Sequence, residues 1–279
     1  MTTLTTSDGN AIEWDSVGRP DATPMLLIEG LGAQLVGWRD EFCELLAACG
    51  FRVVRFDNRD AGLSQKFPLG GYTLLDMARD VEELLDGLGI SQAHVVGQSM
   101  GGMIGQIFAI NFPERVLSLT MCYTAPSDAY ILPGRRSIDG LLKAPRATTR
   151  EEAIELFVES ESDVRSTAYP FDVQWVREKG GLMWDRCYAP DGIARQRQAI
   201  AGGFDTLPQL PDLTCPTLVI HGSDDRLIEP AGSEAIHDAI PGSELIIFDG
   251  MGHELPKELW PEIVDAIATN ALRATRTVS

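Results

Sequence analysis

The chain has 279 residues, 44% of them hydrophobic and 23% charged, with a formal net charge of −18. That length and balance fit one large α/β domain, or a core domain carrying an insertion, and so acidic a chain repels phosphate backbones and anionic lipid, which argues against nucleic-acid or membrane partners. No apolar run reaches about 18 residues, and the opening MTTLTT has neither a basic start nor an apolar stretch, so neither a membrane span nor a secretory signal is read.

Taken in chain order, residues 4–6 and 11–15 flank Ser7-Asp8-Gly9-Asn10, a tight-turn signal that predicts an opening hairpin. MLLIE (25–29) and VVRFD (53–57) read as buried strands, separated by a helix over 38–48. Residues 73–85 are amphipathic, with Leu74, Met77, Ala78, Val81, Leu84 and Leu85 at helical spacing. A strand over 94–98, an apolar helix over 100–110 and a strand over 116–123 follow. From 125 to 210 the chain is helical, aromatic and without a clear strand, and TLVIH (217–221) then resumes the strand pattern. A helix over 232–239, a strand over 244–249 and a helix over 258–272 close the sequence. Alternating strands and helices predict a mostly parallel sheet with helices on both faces. The expected organisation is a core over 1–124 and 211–279, interrupted by a helical cap over 125–210. Five cysteines (Cys43, Cys49, Cys122, Cys187, Cys215) lack CxxC spacing, which points to reduced thiols, a cytoplasmic setting and no zinc site.

The chemistry starts at Gly97-Gln98-Ser99-Met100-Gly101. This G-x-S-x-G run lies between a predicted strand and a predicted helix, the context of a nucleophile elbow. Such a turn lifts a serine Oγ above the sheet edge, with a helix N-terminus behind it to favour negative charge. The competing reading is a helix N-cap serine. Among four histidines, His94 falls in an apolar strand, His221 ends one and His237 lies in a polar helix. His253 sits in the glycine-loosened DGMGH loop after the last strand, where an imidazole can reach a serine at the same sheet edge. The acid is expected at Asp225, three positions after Gly222. Asp224 beside it and Asp128 further upstream are the alternatives. Backbone donors for an oxyanion are expected at Met100 and, in Gly30-Leu31-Gly32, at Leu31. Trp38, Met183 and Trp184 are the candidate pocket residues.

With these residues in place, the chain resembles the α/β-hydrolase superfamily along nearly its whole length. In detail it resembles the carboxylesterase branch that includes the aclacinomycin methylesterase-like proteins. The segments that carry the likeness are IEGLGAQLVGW (28–38), FDNRDAGLS (56–64), GQSMGG (97–102), HGSDD (221–225) and GMGHELP (250–256). The resemblance implies the α/β-hydrolase fold, a nucleophile at Ser99, an acid at Asp225, a base at His253 and oxyanion donors at Leu31 and Met100. It implies ester hydrolysis, the small-molecule ester being the partner. The acidic charge and the aromatic, apolar cap favour small to medium, mainly neutral and apolar esters. With no Rossmann fingerprint, metal-ligand spacing or P-loop in the sequence, no cofactor and no metal are expected. Many relatives carry His-Gly where this chain has Glu29-Gly30, which brings a carboxylate beside a backbone donor. Carbon–carbon bond hydrolysis, lactone hydrolysis, perhydrolysis and low-turnover ligand binding are the other activities that the same serine, acid and base would support.

Overall fold

A computed structural model describes residues 2–132 and 145–276 of the chain. Residues 133–144, which fall within the expected cap, lie outside the described residues. The chain opens with an antiparallel hairpin, β1 (Thr2–Thr5) and β2 (Ala11–Val17). There follow β3 (Thr23–Ile28), α1 (Asp40–Ala48), β4 (Phe51–Phe56), α2 (Leu74–Gly87), β5 (Ala93–Gln98), α3 (Met100–Asn111) and β6 (Val116–Cys122). Among the described residues three helices come next, α4 (Arg150–Ser162), α5 (Val173–Arg186) and α6 (Pro190–Ala201). The chain then re-enters the sheet through β7 (Thr217–Gly222), α7 (Pro230–Ala239), β8 (Glu244–Phe248) and α8 (Trp260–Arg276).

The eight strands form one sheet in the order β1-β2-β4-β3-β5-β6-β7-β8, antiparallel at the β1–β2 and β2–β4 pairs and parallel from β4 to β8. Successive residues of a strand face opposite sides of the sheet. Met25 and Leu27 of β3 accordingly join Phe42 and Leu46 of α1 and Ile263 and Ile267 of α8 on one side. Leu26 and Ile28 join Met77, Val81 and Leu84 of α2 and Ile104 and Phe108 of α3 on the other. Burial on both faces is why these strands read as unbroken apolar runs rather than alternating ones.

Most element boundaries depart from the sequence pattern by a residue or two, and the last helix runs four residues further than expected, to Arg276. The helix expected from residue 38 starts at Asp40 because the backbone of Trp38, which follows a short 3-10 turn (Leu35–Gly37), is extended; its ring is buried and stacks against Phe42. The last helix is preceded by a short 3-10 turn, Lys257–Leu259. At α2, Thr73 caps the first turn with its hydroxyl accepting from the Asp76 N–H, and the Asp76 carboxylate accepts in return from the Thr73 N–H at 2.8 Å. Among the described residues, no helix is long and apolar enough to cross a membrane.

Parallel pairing carries the carboxyl ends of β3, β5, β7 and β8 to one edge of the sheet, and loops leaving that edge are where open α/β sheets place their sites. Ile28 of β3 stands beside Gly97 of β5, Gln98 beside Cys122 of β6, Cys122 beside Ile220 of β7, and Gly222 beside Phe248 of β8.

Candidate active site

Ser99 occupies the junction between β5 and α3 with φ 55° and ψ −121°, outside the regions that a residue with a Cβ normally adopts. The surrounding chain holds it there. Its N–H donates to the Cys122 carbonyl at 2.9 Å, and the Thr124 hydroxyl donates to its carbonyl at 2.8 Å. The motif glycines are required by crowding. A Cβ on Gly97 would lie 2.2 Å from the Gly101 carbonyl oxygen, and one on Gly101 would lie 2.2 Å from that of Ile28.

His253 meets this serine from the β8–α8 loop. Its Nε2 lies 2.9 Å from Ser99 Oγ and its Nδ1 lies 2.7 Å from Asp225 Oδ2. With the proton on Nδ1, the ring donates to Asp225 and Nε2 is left to accept from the Ser99 hydroxyl. Asp225 is 6% exposed, and its Oδ1 accepts from the N–H groups of Leu227 at 2.7 Å and Ile228 at 3.0 Å. Burial alone would raise this carboxyl. The adjoining His253 and the bonds from His221 and His253 outweigh it and hold Asp225 well below the usual carboxylate range. Asp224 turns away, toward the hydroxyls of Thr167 and Ser223. Asp128 lies in a short 3-10 turn, Asp128–Tyr130.

Two supports of this chain were not singled out in the sequence. His221 is completely buried, with Nε2 3.2 Å from Asp225 Oδ2 and Nδ1 2.6 Å from Ser233 Oγ. The signal was its place at the end of β7, four residues before Asp225. The second support is a strap of residues 164–167 between α4 and α5. The His253 N–H donates to the Val164 carbonyl at 2.8 Å, and the Gly252 N–H donates to Ser166 Oγ at 3.0 Å. His94, in contrast, is a core residue: it bonds Ser118 Oγ at 2.8 Å, and burial pushes its pKa down to about 4.

The loop after β3 passes directly over Ser99, since a Cβ on Gly30 would lie 3.3 Å from Ser99 Cβ. Leu31 follows Gly30 in this loop. Met100 is the first residue of α3, so its N–H has no carbonyl one turn back to bond. Glu29, 1% exposed, lies behind the loop. Its Oε2 accepts from Gln98 Nε2 and, at 3.1 Å, from the Gly30 N–H, and Gln98 Oε1 accepts in turn from the Tyr123 hydroxyl. Glu29 Oε1 has no hydrogen-bond partner among the described residues. Burial, offset in part by the nearby Lys179 ammonium and the Gln98 bond, pushes the Glu29 carboxyl up to about 7.

Ser99 and His253 open onto a cavity of about 420 Å³, whose walls include Leu31, Trp38, Tyr123, Trp175, Lys179 and Trp260. Met183 and Trp184 line a neighbouring cavity of about 450 Å³ with Phe157, Tyr188 and Ile193. Leu31, Ala33, Glu161 and Lys179 are common to both. Of the three candidate pocket residues, the structure therefore places Trp38 with Ser99 and the other two in the adjoining chamber. No cluster of three or more His, Cys, Asp or Glu side chains suited to a metal occurs among the described residues.

Comparison with known proteins agrees with this architecture. The alpha/beta hydrolase fold family matches residues 23–258. A rhodomycin D methylesterase, DauP, from Streptomyces sp. (strain C5) is 31% identical, over 98% of this chain and 99% of its own length. A second rhodomycin D methylesterase, DnrP, from Streptomyces peucetius is 30% identical over the same shares. Among solved structures, a hydrolase from Pseudomonas aeruginosa superposes with a TM-score of 0.76 at 27% identity, covering 98% of this chain and 97% of that one.

Proposed function

The chain belongs to the α/β-hydrolase fold family, and from that premise we propose that it is a serine carboxylic-ester hydrolase with Ser99 as nucleophile, His253 as base and Asp225 as acid. The observation that carries this reading is the continuous hydrogen-bonded path from Ser99 Oγ through the imidazole to a buried carboxylate, at 2.9 and 2.7 Å.

Ser99 Oγ attacks the ester carbonyl as its proton passes to His253 Nε2, and the tetrahedral oxyanion is met by the N–H groups of Leu31 and Met100. The imidazolium is stabilised by the ionised Asp225 beside Nδ1. Collapse breaks the carbonyl–alkoxy bond, and the departing alcohol takes the proton from His253. Water, deprotonated by His253, then adds to the acyl-serine; the second collapse frees the acid and returns the proton to Ser99. The helices between residues 125 and 210 act as a cap. The walls of the two cavities set aromatic side chains such as Trp38, Trp175 and Trp184 among charges of both signs, Lys179 being paired with Glu161, which suits neutral esters with apolar groups. Methyl esters are included, in keeping with the methylesterase relatives.

The test is hydrolysis of p-nitrophenyl acetate and butyrate by the wild type and by Ser99→Ala, with fluorophosphonate labelling of both. The expected result is labelling of the wild type alone, and a loss of about 10⁴-fold or more in kcat for the variant. A wild type that neither turns over nor labels would overturn the reading.

A further inference from the structure

The loop that supplies Leu31 does not hold its shape alone. Ala33 N–H donates to the Gly30 carbonyl at 3.3 Å, and Gly32 has φ +72°. A four-residue turn closed in this way, with a positive φ at its third position, has type II geometry. A type I turn differs from it chiefly by a flip of the central peptide, here Leu31–Gly32. Within the turn, that peptide's N–H has no acceptor.

The acceptor comes from α6. Gln196 is completely buried; its Oε1 accepts from the Gly32 N–H at 2.8 Å, while its Nε2 donates to the Arg59 carbonyl at 2.8 Å. The same face of the helix packs on the same loop, with Ile193 Cγ1 where a Cβ on Gly32 would stand, at 2.7 Å. One turn of helix thus presses on Gly32 and also catches its N–H. The primary amide is suited to this task. Among the described residues Oε1 accepts from the Gly32 N–H and Nε2 is tied to a carbonyl of the core, so the side chain cannot rotate away without losing two buried bonds.

We propose that Gln196 is a positioning residue for the oxyanion hole: by anchoring the Gly32 N–H it holds the whole Gly30–Ala33 turn in place, and with it the Leu31 backbone, whose N–H belongs to the preceding Gly30–Leu31 peptide and meets the developing oxyanion. The inserted helix α6 is then part of the apparatus that stabilises the transition state, as well as a cover over the cavity. This inference rests on the serine-esterase reading above.

Gln196→Met keeps the side-chain length and removes both bonds. Misplacing one oxyanion donor should lower kcat about 10- to 100-fold while KM changes by less than about threefold. A trifluoromethyl ketone becomes an oxyanion when Ser99 adds to its carbonyl, so its inhibition constant should rise by the same factor as kcat falls. Gln196→Glu, which keeps an acceptor for the Gly32 N–H, should recover most of the rate and serves as the folded comparison if the methionine variant is unstable. Arg195→Met breaks the neighbouring 2.6 Å pair to Asp60 on the same helix without touching Gly32, and should keep kcat within about threefold. The proposal is overturned if Gln196→Met retains its kcat, if KM and the ketone's affinity worsen together at constant kcat, or if Arg195→Met loses as much rate as Gln196→Met. The underlying reading fails separately: Ser99→Ala would then still turn over ester, whatever Gln196 does.

Discussion

At the scale of single residues, Glu29 has the least comfortable surroundings in the site. It bonds through one oxygen only, and burial raises its carboxyl from 4.5 to about 7. An acid whose folded pKa exceeds its unfolded one is tolerated while it keeps its proton. Its contribution is intact below about pH 4.5 and is lost as the pH rises through about 7, a penalty on the order of 3 kcal/mol on the alkaline side. Glu29→Gln keeps an acceptor for Gln98 and Gly30 without the charge. It should raise the melting temperature by roughly 5–10 °C at pH 8 and change it little at pH 5. Equal shifts at the two pH values in thermal melts would show that ionisation of Glu29 is not the cause. Ser99 illustrates the opposite case, a conformational cost held in place by backbone bonds to Cys122 and from Thr124.

At the scale of elements, α5 is locked to the core by a buried ion pair. Arg186 donates to both oxygens of Asp57, at 3.1 and 2.9 Å, and to Gln34 Oε1 at 2.8 Å, while Asp57 also accepts from the Leu35 and Leu63 N–H groups. Removing one member leaves the other buried and charged. Arg186→Met should therefore cost about 3–5 kcal/mol in urea unfolding, and Asp57→Asn added to it should restore part of that loss. A cost within about 0.5 kcal/mol of zero would mean that water already screens the pair. The strands, the helix α2 and the elbow at Ser99 were legible in the sequence because their signals are local: apolar runs, periodicity, and a G-x-S-x-G placed between a strand and a helix. So were the positions of Asp225 and His253, each just past a strand end. The partners Arg186–Asp57, Gln196–Gly32 and His221–Asp225 were not. The first two join residues more than a hundred positions apart, and no local pattern marks which arginine or glutamine will be buried. Met183 and Trp184 were read as lining one pocket with Trp38, because composition cannot tell two adjoining cavities from one.

At the scale of the whole molecule, the net charge of −18 means that the folded state confines its own repulsion. Added salt screens it, with a Debye length of about 10 Å at 0.1 M. The melting temperature at neutral pH should therefore rise by a few degrees between about 10 mM and 0.3 M sodium chloride; a fall would mean that attractive pairs such as Arg150–Asp185 outweigh the net repulsion. The strand order also sets a schedule for biosynthesis. Six strands, the elbow and the loop that carries Leu31 leave the ribosome before the inserted helices, while β7 and β8 add afterwards to the edge formed by β6. Ser99, the proposed nucleophile, is therefore made before these helices, and Asp225 and His253 after them. A nascent chain that has closed its elbow still lacks the two hydrogen-bonding partners that complete the path from Ser99 until the segment through His253 has been made.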